Sequence, residues 1–152
     1  MNRLFILRHA KAGQHTSKDH ERPLTEVGHT QARLLGEWFS AQGIAFDTVL
    51  TSSSLRTVET VEGLGLSIGF TIVPRLYSAP DYVIESVIQE AGIQSGNMLV
   101  VAHNPGVSDL VAQAGYAGSL GTCTVVELEV PVNFTDFSAA SCKAVSSYRP
   151  EV

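Results

Sequence analysis

Three short segments of the chain carry the residues best able to handle an anion: Arg8-His9, Ser52-Ser53-Ser54-Leu55-Arg56 and His103-Asn104. Arginine presents a planar, permanently charged fork that matches the oxygens of phosphate or carboxylate. Histidine changes charge near neutral pH and serves as nucleophile, base or acid. Two guanidinium groups and two imidazoles brought together would neutralise a phosphate-like anion and attack it. Arg22 offers a third guanidinium, and Ser52 and Asn104 offer hydrogen bonds to the same oxygens. Each feature alone has an ordinary explanation. An Arg-His pair at a strand end is commonly a surface feature, and the helix dipole disfavours an arginine in a first turn. A bound anion offsets that disadvantage, because helix-start N–H groups and the arginine then share it.

The elements that would position these segments are legible in the spacing. Leu4 to Leu7 is a short apolar run of the kind buried on both faces of a parallel sheet. Residues 48–51 and 98–102 read as further strands, and residues 70–73 as another, closed by Pro74. Thr25 is placed to cap a helix in which Val27, Leu34, Leu35 and Trp38 recur at helical spacing, with Gly43 as its stop. The serines at 52–54 offer caps for a helix over about 55–64. Val83, Val87 and Ile88 predict a helix over 82–91, and Pro105 suits the first turn of another that runs to about Ala114. Residues 122–130 and 143–148 alternate as two late strands without a helix between them, so one is expected antiparallel. This alternation predicts an α/β fold, a three-layer α/β/α sandwich with a mainly parallel, mixed central sheet. Ligands gather beyond the carboxyl ends of such strands, where all three segments lie. Residues 10–23 form a long loop beside them, of a length usually given over to function.

Composition narrows the classes of partner. A chain of 152 residues fits one domain, and 44% hydrophobic against 16% charged residues supports a packed core. Ten Lys+Arg against fifteen Asp+Glu, a net charge of −5, argues against nucleic acid or an anionic membrane as the main partner. The apolar run before Arg8 is too short for a signal peptide, and the uncharged stretch 91–108 is broken by Gly, Gln, Asn and Pro. A cytoplasmic protein is expected. Cys123 and Cys142 read as buried free thiols on strands that would neighbour one another. Among the histidines, His15 and His20 fall on the loop and His29 on a helix, so no metal site is expected. Gly63-Leu64-Gly65 ends a helix where a dinucleotide fingerprint would open one, so no cofactor is expected either. Tyr77, Tyr82, Phe5 and Phe70 read as core or edge residues.

Four segments in order resemble the histidine phosphatase superfamily, with its phosphoglycerate mutase-like fold. Leu7-Arg8-His9-Ala10 is similar to its Arg-His-Gly signature. Leu24-Thr25-Glu26-Val27-Gly28 followed by Gln31-Ala32 is similar to a Leu-Thr-x-x-Gly-x-x-Gln-Ala helix start. Ser52 to Thr57 with Thr60 is similar to Ser-Pro-x-x-Arg-Ala-x-x-Thr, and Val101-Ala102-His103-Asn104-Pro105 to the segment of the second histidine. The match covers residues 3 to about 112. The short length and the run Arg22-Pro23-Leu24-Thr25 resemble the small phosphohistidine phosphatase branch. The resemblance implies one histidine phosphatase domain over residues 1–152.

The departures from the pattern carry chemistry. Ala10 stands where most members have Gly, which asks for a backbone conformation that tolerates a Cβ. Glu59 stands where Gln is common. Many members place an acidic proton donor soon after the third strand, whereas this chain reads Leu76-Tyr77-Ser78-Ala79-Pro80 and reaches a carboxylate only at Asp81. An alcohol leaving group needs such a donor, which typically contributes about 10²–10⁴ in rate. Imidazole, with a reference pKa of about 6.5, leaves a phosphohistidine with less help. The missing acid therefore biases the site towards P–N bonds. Asp19, Glu21 and His20 in the long loop are the candidate stand-in acids.

The resemblance implies His9 as nucleophile, forming a covalent phosphohistidine that water hydrolyses. Arg8, Arg56 and Arg22 would hold the phosphoryl oxygens, with His103 opposite the nucleophile as hydrogen-bond donor or proton carrier. The expected substrate is a phosphorylated protein such as a phosphotransfer domain. The alternatives are a small phosphorylated metabolite, hydrolysed by a phosphomonoesterase of the same superfamily, and a non-enzymatic phosphoacceptor or phosphoprotein-binding module. An acceptor would need neither His103 nor Arg56.

Overall fold

A computed structural model describes residues 1–14 and 18–152, so His15 lies outside the described residues. One six-stranded sheet is built from β1 (Asn2–Arg8), β2 (Thr48–Thr51), β3 (Thr71–Ile72), β4 (Asn97–Ala102), β5 (Val125–Val130) and β6 (Lys143–Tyr148). Its order is β3-β2-β4-β1-β5-β6. The first four of these strands run parallel, and β5 lies antiparallel to both β1 and β6. The helices are α1 (Glu26–Ala41), α2 (Leu55–Leu64), α3 (Asp81–Glu90) and α4 (Gly106–Gln113).

Alternation along the strands divides the core. Leu4, Ile6, Met98 and Val100 pack on one face with Ile84 and Ile88 of α3 and Val107, Leu110 and Val111 of α4. Phe5, Leu7, Leu99 and Val101 face the other way, onto Leu35 and Phe39 of α1 and Val61 and Leu64 of α2. Apolar residues on both faces are what a parallel sheet covered by helices requires. The result is the α/β/α sandwich that the alternation of elements predicts.

Several local features differ from the sequence reading. β3 keeps only two of the four expected residues, because the chain turns at Val73 into a 3-10 turn over Pro74–Leu76. β5 begins at Val125, since Cys123 takes φ 58° and gives its N–H to the carbonyls of Arg8 and His9. Cys123 and Cys142 are buried free thiols, yet they pack in the cores on opposite faces and are not neighbours. On α1 the buried stripe is Gln31, Ala32, Leu35 and Phe39, while Val27 is exposed and Trp38 stacks on Tyr148 at 4.3 Å. Gln31 is drawn inward by the Lys11 N–H, which donates to its Oε1 at 2.8 Å. Pro105 occupies the N-cap position of α4, one residue before the expected first turn.

Two glycines fix where loops meet helices. A Cβ on Gly28 would lie 2.1 Å from the Lys11 carbonyl oxygen, so glycine lets the loop after β1 settle on the start of α1. A Cβ on Gly106 would lie 2.1 Å from the Ala79 carbonyl oxygen, so the segment after β3 is held against α4 in the same way.

Candidate active site

β2, β4 and β1 are neighbours, so their exits meet. The Ser52 N–H donates to the Val101 carbonyl at 3.0 Å and the His9 N–H to the Ala102 carbonyl at 3.2 Å. Ser54 caps α2 by accepting from the Thr57 N–H and sets Arg56 in the first turn. His9, Ser52, Arg56 and His103 are all buried there, and the two imidazole rings lie 5.4 Å apart.

His9 Nδ1 lies 2.7 Å from the Ala10 carbonyl oxygen. A carbonyl only accepts, so Nδ1 carries the proton and Nε2 keeps its lone pair. Burial pushes the His9 pKa down to about 4; the Ala10 hydrogen bond opposes this, and the charges of Arg56, Arg8 and Arg22 add to it. The imidazole is therefore neutral at physiological pH. Ala10 is buried, and its N–H donates to Thr60 Oγ1 at 3.0 Å. Its φ is not positive, so the Cβ that replaces a glycine hydrogen is accommodated.

His103 has the opposite arrangement. Arg56 Nη2 reaches its Nδ1 at 3.4 Å, and its Nε2 lies 2.8 Å from Ser52 Oγ. Arginine only donates, so Nδ1 accepts and Nε2–H donates to the serine. Burial first, then the charges of His9 and Arg56, push this pKa down to about 3, with Asp19 opposing.

The arginines show what the site lacks. Arg8 gives Nη1 to the Leu120 carbonyl at 3.0 Å, and Arg56 gives Nη1 to the Asp19 carbonyl at 2.8 Å. Among the described residues, the Nε–H groups of Arg8 and Arg56 are buried without a hydrogen-bond partner. A buried unpaired donor is costly, and a charged one more so, so two of them beside a neutral imidazole mark a seat for an anion.

The remaining predicted residues take up different work. Arg22 donates Nε to the Gly13 carbonyl at 2.7 Å and Nη1 to Asp19 Oδ1 at 2.8 Å, and its charge still reaches His9. Ser52 orients His103, where a phosphate contact was expected. Asn104 donates to the Leu120 carbonyl at 2.8 Å and accepts from Ser108 Oγ, so its amide holds the loop before β5 and not the pocket. Glu59 accepts the Leu24 N–H at 2.8 Å, tying the end of the long loop to α2.

Asp19 is no acid in this structure. It accepts from Tyr77 OH at 2.5 Å, from Arg56 Nη2 at 3.0 Å and from Arg22. The Tyr77 hydrogen bond leads the effects that lower its pKa to about 2, so it is a carboxylate at neutral pH. Glu21, in the same 3-10 turn, is exposed, and His20 lies 2.9 Å from Ser53 Oγ. Asp81 accepts from Gln113 on α4. Tyr77 itself is a site residue that sequence reasoning placed in the core or at an edge. The available signal was its position after β3, where the resembled family carries its acid. Among the described residues no cluster of three His, Cys, Asp or Glu is placed to hold a metal. Nor is any helix among them long and apolar enough to cross a membrane.

Comparisons with known proteins bear on the family and the fold. A family model for the histidine phosphatase superfamily (branch 1) matches residues 4–77. Phosphohistidine phosphatase SixA of Escherichia coli (strain K12) is 33% identical over 116 residues, 72% of each chain. A structure from Nakamurella multipartitia described as a SixA-type phosphatase superposes with a TM-score of 0.87 at 25% identity, covering 99% of this chain and 97% of that one. The structure of SixA complexed with tungstate gives a TM-score of 0.82 at 24% identity, over 97% of this chain and 96% of that one. Fold and relatives together define a phosphatase built on an α/β/α sandwich. The chain belongs to the histidine phosphatase superfamily, in its SixA-like branch.

Proposed function

We propose that this phosphatase acts, as a single domain and without a metal, on phosphohistidine carried by another protein. The carrying observation is the pair of unpartnered Nε–H groups of Arg8 and Arg56 beside the neutral His9. In this reading His9 Nε2 attacks phosphorus in line. The P–N bond to the substrate imidazole breaks, and its electron pair returns to that nitrogen. Water then attacks the phosphorus on His9 and releases inorganic phosphate. Arg8 and Arg56 hold the non-bridging oxygens as charge spreads over them, and Arg22 adds its field from the loop. The P–N bond to His9 breaks with its electron pair returning to Nε2, the proton of the water leaves on the phosphate, and the Nε2–H of His103 is the hydrogen-bond donor on that side. That a SixA structure holds tungstate, an oxyanion shaped like phosphate, supports an oxyanion at this seat.

The leaving group is argued from the proton donors. Asp19 is ionised, and Asp81 faces α4. A site without a carboxylic acid suits imidazole better than an alkoxide, which leaves poorly unless protonated.

The test is phosphate release measured on one preparation with two substrates, a phosphohistidine-bearing phosphotransfer domain and a small alkyl phosphate. His9→Ala is the blank for both. The proposal expects the protein substrate to win by at least about 10²-fold, the contribution that acid assistance usually makes to an ester. Faster turnover of the alkyl phosphate would make the chain a metabolite phosphatase. Stoichiometric phosphate uptake without release would make it an acceptor.

A further inference from the structure

We infer that Tyr77 and Asp19 form a latch that positions Arg56, so that its Nε–H faces the phosphoryl group. The inference rests on the phosphatase reading and extends it to two residues with no assigned role.

Asp19 is the hub of this arrangement. Its backbone carbonyl accepts from Arg56 Nη1 at 2.8 Å and its Oδ2 from Arg56 Nη2 at 3.0 Å. Two contacts on one edge of the guanidinium leave rotation about its axis no freedom. Nη2 also reaches His103 Nδ1 at 3.4 Å, and of the donors left over Nε–H is buried without a partner among the described residues. Asp19 therefore selects which edge of Arg56 meets a ligand. The carboxylate is itself held by Tyr77 OH on Oδ2 and by Arg22 on Oδ1.

Tyr77 is built into place for this contact. It follows the 3-10 turn that ends at the fully buried Leu76, and the Ala79 carbonyl two residues on is pressed against Gly106 of α4. Its ring lies edge-on to His103 at 5.6 Å and to His20 at 4.8 Å. Ser78, the next residue, takes φ 55°. Among the described residues it shares a positive φ with only one other non-glycine residue, Cys123, whose N–H binds the carbonyls of Arg8 and His9. Both strained positions thus abut the site, where strain is tolerated when it places a functional group. The tyrosine pKa is raised, chiefly by the hydrogen bond to Asp19, so the hydroxyl keeps its proton and remains a donor.

Both residues act through Arg56, so they are positioning residues and not catalytic ones. Tyr77→Phe keeps the ring packing and removes only the hydroxyl. It should lower kcat on a phosphohistidine domain by about tenfold, the scale of one hydrogen bond to a charged group, with a smaller change in KM. Asp19→Ala should cost more, and Asp19→Asn, which keeps an oxygen, should recover part of that loss. In the Asp19→Ala background Tyr77→Phe should be silent. Tungstate should bind both single variants more weakly than wild type, and the Asp19 carboxyl, followed by carbon NMR, should titrate above about 2 in Tyr77→Phe. A wild-type kcat in Tyr77→Phe would overturn the latch. Independent, multiplying effects of the two substitutions would also overturn it, by showing that Tyr77 acts on the substrate directly. Tighter tungstate binding in Asp19→Ala would overturn it by making Asp19 a competitor for the anion. If wild type turned over no phosphohistidine, the functional reading would fail, while the tungstate and titration results would still decide the latch.

Discussion

The exits of β1 and β4 place two copies of the same side chain, their rings 5.4 Å apart, in opposite tautomers. After β1, His9 donates its Nδ1–H to the Ala10 carbonyl and keeps the Nε2 lone pair. After β4, His103 has both ring nitrogens engaged, one by Arg56 and one by Ser52. Both are buried, and both are driven neutral by burial and nearby positive charge. The tautomer, set by the neighbours each ring finds, is what separates them. Residue type alone would make the two histidines interchangeable; under the proposed function the hydrogen bonds suit His9 to attack and His103 to donate a hydrogen bond.

The largest effect should come from breaking the β1 side. His9→Ala is expected to lower phosphate release by about 10⁴-fold or more, since loss of a nucleophile removes the covalent route. Stopped-flow phosphate detection reads this directly. Next is the guanidinium shared between the two sides. Arg56→Ala should cost about 10³-fold in kcat, with far-UV circular dichroism unchanged. On the β4 side, His103→Ala should cost about 10²-fold, as for a lost hydrogen-bond donor to the transition state. Ser52→Ala should cost less, because it frees the ring without removing it. If the two histidine variants lost activity equally and both still trapped phosphate, the assigned difference between the exits would be wrong.

Acid should act on both exits together. A histidine held near 4 or 3 in the folded state, against an ordinary 6.5, takes up its proton more readily when unfolded. Stability is then complete above about pH 6.5 and falls as the pH drops from there towards 4. Asp19, lowered from 3.8 to about 2, removes a further contribution between those values. Thermal melts from pH 8 to pH 4 should show the first decline, and His103→Gln should flatten it. The smallest effect is expected at Asn104→Ala, which loosens the loop at Leu120. It should cost about 1 kcal/mol of stability in urea melts and leave phosphate release largely intact.

Much of this arrangement is legible in the sequence, for reasons that are local. β2 and α2 fall where the apolar run and the serine caps place them, and the alternation of strands and helices fixes which exits are adjacent. Three of the four motif segments lie on those exits, and the fourth opens α1. Interactions between distant segments are not legible in this way. Tyr77 and Asp19 stand 58 residues apart and meet only once the turn after β3 and the loop before α1 are folded. Asn104 sits next to a site histidine, yet its amide faces Leu120 because the loop before β5 offers a carbonyl there. The two cysteines were separated by the turn at Cys123, a positive-φ residue that no local pattern announces.

The central claim is that His9 carries the phosphoryl group during turnover. It is tested most directly by rapid acid-free quench of the protein mixed with a radiolabelled phosphohistidine domain, followed by mapping of the labelled residue. The account expects a transient label on His9 that decays as phosphate appears, and none in His9→Ala. A label on another residue, or turnover without any labelled protein, would contradict it.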